Sequence, residues 1–213
     1  MKKGEIKAFV FDMNGVLVIN RKHILRKTRK QFASPGVHRY VASKLKISLD
    51  QYFDAIETAY AKSIEGKIPE KQLYKIITKN LKTSRKNLIR LYKIGFRRKY
   101  YQNKRLYRLA FKLKKEGYKI SILSDQWPAS KEALALPKYL KKFDKVVISC
   151  DVGLRKPNPR IYKLALRQLK LKPKQAVFID NQEWNTKAAK KLGMNTILFK
   201  DNKTFTQQLK KFK

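Results

Sequence analysis

Five short apolar runs punctuate the chain: Lys7 to Phe11 (KAFVF), Lys119 to Leu123 (KISIL), Lys145 to Ser149 (KVVIS), Ala176 to Ile179 (AVFI) and Thr196 to Phe199 (TILF). They are too short for buried helices and lack the alternation of half-exposed strands, so each predicts a strand buried on both faces, as in a parallel sheet. Helical patterns separate them. Leu106, Leu109, Ala110 and Leu113 share a face ahead of Gly117, which can end the helix. Asn158-Pro159 opens a helix through Ile161, Ala165 and Leu169, with proline at its first position. Ala188, Ala189 and Leu192 lie on a helix closed by Gly193. This alternation predicts an α/β fold built on a doubly wound parallel sheet. The stretch from Arg21 to about Arg108 reads differently, as helical: Tyr52, Ile56, Ala59 and Tyr60 share one face, and Leu73, Ile76, Ile77 and Leu81 another, with Pro69 near the start of the second.

A chain of 213 residues suits one α/β domain with an insertion, or two small domains, and its 43% hydrophobic content can fill a core. No apolar run approaches the roughly 18 residues that a membrane span needs. The basic start, Met1 to Glu5, precedes a short apolar stretch interrupted by Asp12, which reads as a first strand rather than a signal peptide. Cys150 is the only cysteine, so an intramolecular disulfide is excluded and a reducing, cytoplasmic location is expected. It reads as a small buried hydrophobe beside a strand end.

The charge is extreme: 53 Lys and Arg against 15 Asp and Glu, net +38. Ion-pair networks need both signs, so they do not account for the excess. Two explanations remain, attraction to polyanions such as nucleic acid, or a lysine-rich compositional bias. The acid-free stretch from Lys71 to Lys115 interleaves basic residues with Tyr92, Phe96, Tyr100, Tyr101, Tyr107 and Phe111, as single-stranded nucleic-acid surfaces do. The plainer reading has the aromatics packing helices while Lys and Arg coat the solvent face.

Chemistry is expected outside the carboxyl ends of the strands, where ligands bind in open α/β sheets. Three predicted strands end there on polar pairs or near-pairs: Asp12 with Asn14, Ser124 with Asp125, and Asp180 with Asn181. Lys156 joins them from a proline-bounded loop. One such ending is commonplace, but three on one edge point to a site.

The wording of these segments resembles the haloacid dehalogenase-like (HAD) hydrolases. Phe9-Val10-Phe11-Asp12-Met13-Asn14-Gly15-Val16-Leu17 is similar to the first HAD motif and Ile122-Leu123-Ser124-Asp125 to the second. Gly153-Leu154-Arg155-Lys156-Pro157-Asn158-Pro159 with Tyr162 resembles the third, and Val177-Phe178-Ile179-Asp180-Asn181, with Asn185 and Gly193-Met194 downstream, the fourth. The wording is most like the branch of sugar-phosphate phosphatases and the phosphatase domain of bifunctional epoxide hydrolases. The resemblance implies a Rossmann-like core over 1–20 and 102–213, with a helical cap over 21–101. It implies Asp12 as nucleophile, forming an aspartyl-phosphate. It implies Ser124, Asp125 and Lys156 at the phosphate, with Lys156 offsetting the gathered negative charge. Magnesium is expected on Asp12, Asp180, Asn181 and the backbone carbonyl of Asn14, an oxygen-only set for a hard cation. His23 and His38 lack metal-ligand spacing and read as surface or cap residues.

Three positions depart from the family. Asn14 stands where its phosphatases carry the Asp that serves as general acid/base, Asp125 where Asn is usual, and Asn181 where a second Asp is usual. Dehalogenase relatives also lack the second Asp of the first motif, but they typically carry Tyr there. An amide cannot shuttle protons, and such help is worth about 10²–10⁴-fold. Two readings follow. One is a magnesium-dependent phosphatase of a small phosphorylated metabolite, with Asp125 or water in the missing role. The other is a degenerate domain that binds phosphorylated or polyanionic partners.

Overall fold

The computed structural model describes residues 6–20 and 35–213. Its centre is a five-stranded, all-parallel sheet of β1 (Ala8–Phe11), β4 (Lys119–Ser124), β5 (Lys145–Ile148), β6 (Ala176–Asp180) and β7 (Asn195–Leu198), ordered β5-β4-β1-β6-β7. Two further strands, β2 (Val18–Asn20) and β3 (Tyr100–Gln102), pair antiparallel as a small ribbon. All five predicted strands are present, each displaced by a residue or less at either end.

Why the apolar runs read as continuous is visible in the packing. Along β1, Phe9 and Phe11 point into one core while Ala8 and Val10 point into a second, and all four are fully buried. In β6, Val177 and Ile179 join the first core and Ala176 and Phe178 the second. The first core receives α5 (Lys104–Lys115) through Leu106, Tyr107, Ala110 and Leu113, and α11 (Asn202–Leu209) through Phe205 and Leu209. The second receives α9 (Pro159–Leu169) through Ile161, Tyr162, Ala165 and Leu169, and α10 (Glu183–Lys191) through Ala189. A sheet covered on both faces is the doubly wound α/β arrangement, and the chain reverses its direction of travel across the sheet at β1.

Between β2 and β3 run α1 (Pro35–Leu45), α2 (Leu49–Ile64), α3 (Glu70–Asn80) and α4 (Arg85–Lys99). Ser48 starts α2 with a capping box: its hydroxyl accepts from Gln51 N–H while the Gln51 side chain accepts from Ser48 N–H. Tyr52, Ile56, Ala59 and Tyr60 form the buried face of α2. Helix α4 packs on α1 and on α6 (Pro128–Leu134), which follows β4. Trp127, just ahead of α6, inserts edge-on against Tyr60 and Tyr92, with ring centroids 5.2 and 4.8 Å away. Two one-turn helices, α7 (Pro137–Leu140) and α8 (Ser149–Val152), complete the set. Among the described residues, no helix is long and apolar enough to cross a membrane.

One expectation needs correction and two others are narrowed. The segment from Arg21 to Arg108 is not helical throughout, because Tyr100–Gln102 pairs with Val18–Asn20 and so stays extended. Of the two places expected for His38, surface or cap, the surface does not apply: it lies in α1, 2% exposed, and its Nδ1 is 3.0 Å from the Tyr52 hydroxyl, which in turn bonds that of Tyr92. His23 and the other residues of 21–34 lie outside the described residues. The aromatics of the basic stretch mostly face inward: Tyr92, Phe96, Tyr100 and Tyr107 are buried, and only Tyr101 is well exposed. Rings packed in a core cannot stack on bases, so the plainer reading of that stretch fits.

Candidate active site

The site forms where three neighbouring strands end. Asp12 follows β1 at the middle of the sheet, Ser124 closes β4 on one side, and Asp180 closes β6 on the other. Lys156, on the loop between α8 and α9, sends its ammonium between the two carboxylates, 2.8 Å from Asp12 Oδ1 and 2.7 Å from Asp180 Oδ2. All three side chains are almost completely buried, at 2% exposure for Lys156, 8% for Asp12 and 0% for Asp180. Unpaired, charges so deep would cost several kcal/mol each, of order, so the triad is held by mutual compensation.

The electrostatics follow from that burial. Desolvation holds the Asp12 carboxyl above its ordinary range; Lys156 pulls it back, and the charge of Asp180 pushes it up again. Burial alone would lower Lys156, but Asp12, Asp180 and Asp125 more than reverse this and keep the ammonium charged. Asp180 is firmly aimed: its Oδ1 accepts from Gln182 N–H at 2.7 Å, and its Oδ2 also accepts from Asn185 Nδ2 at 3.0 Å. The Tyr162 hydroxyl secures Asn185 in turn by donating to its carbonyl at 3.0 Å.

Asp125 does not stand apart from the loop. Its Oδ1 accepts the backbone N–H of Lys156 at 3.0 Å, tying the end of β4 to the segment that carries the lysine. Ser124 Oγ accepts from Gln126 Nε2 at 3.0 Å, and the backbone of Gln126 exchanges hydrogen bonds with the hydroxyl of Ser149.

Residues 6–193 match the haloacid dehalogenase-like hydrolase family, which is most of the chain. The chain belongs to that family. Among curated relatives, bifunctional epoxide hydrolase 2 of Sus scrofa is 37% identical over 107 residues, covering 48% of this chain and 19% of that protein. Glyceraldehyde 3-phosphate phosphatase of Pyrococcus furiosus is 36% identical over 94 residues, covering 43% of this chain and 39% of that protein. The matched segment thus spans well under half of either relative. Among solved structures, a HAD family enzyme of Bacteroides thetaiotaomicron superposes with a TM-score of 0.76 at 19% identity, covering 96% of this chain and 98% of its own. That enzyme has also been solved with magnesium and inorganic phosphate.

Within this HAD-like site, Asp12, Lys156 and Asp180 are brought into direct contact. Ser124 and Asp125 sit beside them at the end of β4, and Asn181 follows Asp180. Asn14, half-buried, lies in the tight turn after β1 and bridges to Val18. Sequence reasoning missed the part played by Asn185 and the whole of Gln126. Asn185 carried a signal, five residues beyond Asp180 and so on the first turn of the following helix; Gln126 carried none.

The turn after β1 leaves little freedom. Gly15 adopts φ +95°, and a Cβ there would fall 2.3 Å from Asn181 Nδ2. Gly15→Ala is therefore expected to cost about 1–3 kcal/mol for the left-handed backbone alone, and to displace Asn181. Urea denaturation measures the loss; a variant as stable as wild type would mean that the turn relaxes freely.

Two buried oxygens, Oδ1 of Asn181 and Oδ1 of Asn185, have no hydrogen-bond partner among the described residues. Among those residues no cluster of three or more His, Cys, Asp or Glu is arranged for a metal. The available donors are therefore two carboxylates and uncommitted amide oxygens, an all-oxygen set. That set fits magnesium, which is commonly held by one or two carboxylates and keeps several waters. Cys150, expected to be buried, is only half-buried, as the second residue of α8; burial and Asp151 push its thiol up to about 12, so it stays protonated at neutral pH.

Proposed function

We propose that the chain hydrolyses a small phosphomonoester in the presence of magnesium, with Asp12 as nucleophile and α1–α4 as a cap over the site. The observation that carries this reading is the single ammonium of Lys156 shared between Asp12 and Asp180 at one edge of the sheet. An oxygen nucleophile, an adjacent acidic residue and a buried cation together suit attack on an anionic phosphoryl group. The similarity to glyceraldehyde 3-phosphate phosphatase favours a phosphoryl group as the target of that attack.

In this reading, a carboxylate oxygen of Asp12 bonds to phosphorus as the bond to the ester oxygen breaks. The alcohol leaves with a proton supplied by Asp125 or a water, and Asp12 carries the phosphoryl group. Water then attacks phosphorus, gives a proton back to that same group, and returns inorganic phosphate and free Asp12. Lys156 faces negative charge through both steps, and Asp180, braced by Gln182 and Asn185, keeps the ammonium in place. Magnesium, held by Asp12, Asp180, the Asn14 carbonyl and Asn181, would neutralise phosphoryl oxygens.

The second reading, a domain that binds phosphate without efficient turnover, draws on one observation. Asn14 carries no titratable proton, and Asp125, the nearest substitute, has an oxygen committed to the loop backbone. Turnover separates the two: p-nitrophenyl phosphate should be hydrolysed only with magnesium, and Asp12→Asn should abolish it. The metal can be tested apart from turnover. Magnesium at about 100 times its Kd should stabilise the fold by roughly 2.7 kcal/mol, seen as a higher Tm, and Asp180→Ala should remove the shift. A shift that survives this substitution would put the ion elsewhere.

A further inference from the structure

The loop that carries Lys156 has a second face. While its lysine side chain reaches inward, residues Gly153 to Arg160 form one wall of a cleft of about 1090 Å³ whose other wall is Glu65 and Lys67. Those two lie in the turn between α2 and α3, which meets the loop at its backbone: a Cβ on Gly66 would fall 2.9 Å from Gly153 Cα. Of the lining residues, only Lys156 belongs to the catalytic constellation.

The cleft is cationic beyond what its own acid can match. Lys67, Arg155 and Arg160 line it against the single carboxylate of Glu65. Glu65 is shared: Lys67 Nζ sits 2.6 Å from one oxygen and Arg155 Nη1 3.9 Å from the other. The pairs are partly exposed, and such pairs contribute little, so the cations are available to another anion. Arg155 is not fully committed: its side chain is 35% exposed, and its Nε has no hydrogen-bond partner among the described residues. Arg160 N–H is already engaged by Asn158 Oδ1, which leaves its side chain as the recognition group.

We infer that this cleft is a binding site for an organic or inorganic polyanion bearing two or more phosphate or carboxylate groups. Three cations spread over two walls match several anionic groups better than one. The volume is that of a site for a ligand well above the size of a single phosphate. One anionic group satisfies Arg155 through its planar fork of donors, and another meets Arg160 or Lys67. Because the walls come from the α2–α3 turn and the Lys156 loop, the bound anion clamps the two together. The inference goes beyond the hydrolase reading and survives if turnover is absent.

Tripolyphosphate is the probe, measured by calorimetry on the whole chain at moderate salt without magnesium. Arg155→Gln with Arg160→Gln should weaken binding by about tenfold or more, as expected when charge-assisted hydrogen bonds are lost. Arg105→Gln with Arg108→Gln, exposed on α5, removes the same charge and should leave the affinity within about twofold. Lys67→Gln should reproduce part of the loss from the opposite wall. Equal weakening by both double variants would mean that net charge alone attracts the anion, and the inference falls. It also falls if the Arg155 and Arg160 variant binds like wild type.

Discussion

Asn14→Asp is expected to raise the turnover of a generic phosphomonoester by about 10²-fold or more, the typical contribution of general acid–base help. The change is nearly isosteric and leaves the backbone of the turn untouched. The new carboxylate would join Asp12, Asp125 and Asp180 around one ammonium, so its effect should depend on magnesium more steeply than that of wild type. The same conversion can in principle happen by deamidation, since Asn14 precedes a glycine. The fold restrains it: Gly15 N–H, the nitrogen that would close onto the side chain, donates to the Val18 carbonyl at 2.7 Å. Intact mass measured beside the assay separates genuine wild-type activity from a deamidated fraction. If wild type is already fast and the variant no faster, the proton route lies elsewhere and Asp125→Asn is the next substitution. If neither form turns over while both bind phosphate, the domain is a binding module.

Lys156→Met should destabilise the metal-free protein by about 3–5 kcal/mol, the usual consequence of removing one partner from a buried charge pair. Two carboxylates 2.8 and 2.7 Å from the lost ammonium would remain, buried and mutually repelling. Magnesium should restore part of the loss by supplying positive charge at the same place. The pH dependence has a defined sign. Asp12 is shifted upward in the fold, so the folded state binds the extra proton, and its contribution is fully present below the ordinary carboxylate range. That contribution disappears as pH rises through the folded value, and without Lys156 the decline should be steeper. Urea denaturation at several pH values reads both effects. A loss under about 1 kcal/mol, typical of exposed pairs, would mean that water reaches the triad.

The sheet was legible because a strand buried on both faces has to be apolar along its whole length. Ala8 to Phe11 and Ala176 to Ile179 satisfy that and little else does. The ribbon was not legible: Val18–Asn20 and Tyr100–Gln102 are three residues each, too short for periodicity, and their partners lie some eighty positions apart. The burial of His38 was not legible either, because nothing local announces the hydroxyl of Tyr52 fourteen residues on. At the site, Asp12 and Asp180 could be picked out because each sits at a strand end, and Lys156, one lysine among many, only because its loop resembles the third HAD motif. The work of Asp125 could not, since its partner is a backbone N–H thirty-one residues away, and backbone groups leave no trace in residue identity. The binding and catalytic roles of these residues rest on the substitutions proposed above.

The ribbon has a consequence for how such a chain can change over generations. Its register sets Asn20 opposite Tyr100, so the polypeptide departs from the sheet and comes back at a single doorway. What lies beyond that doorway can vary in length without inserting residues into the strands that lead to Asp12 and Ser124. Any replacement has to match the core at the points of present contact: Trp127 needs an apolar socket, as Tyr60 and Tyr92 provide, and the Gly153 backbone needs a neighbour as close-fitting as Gly66.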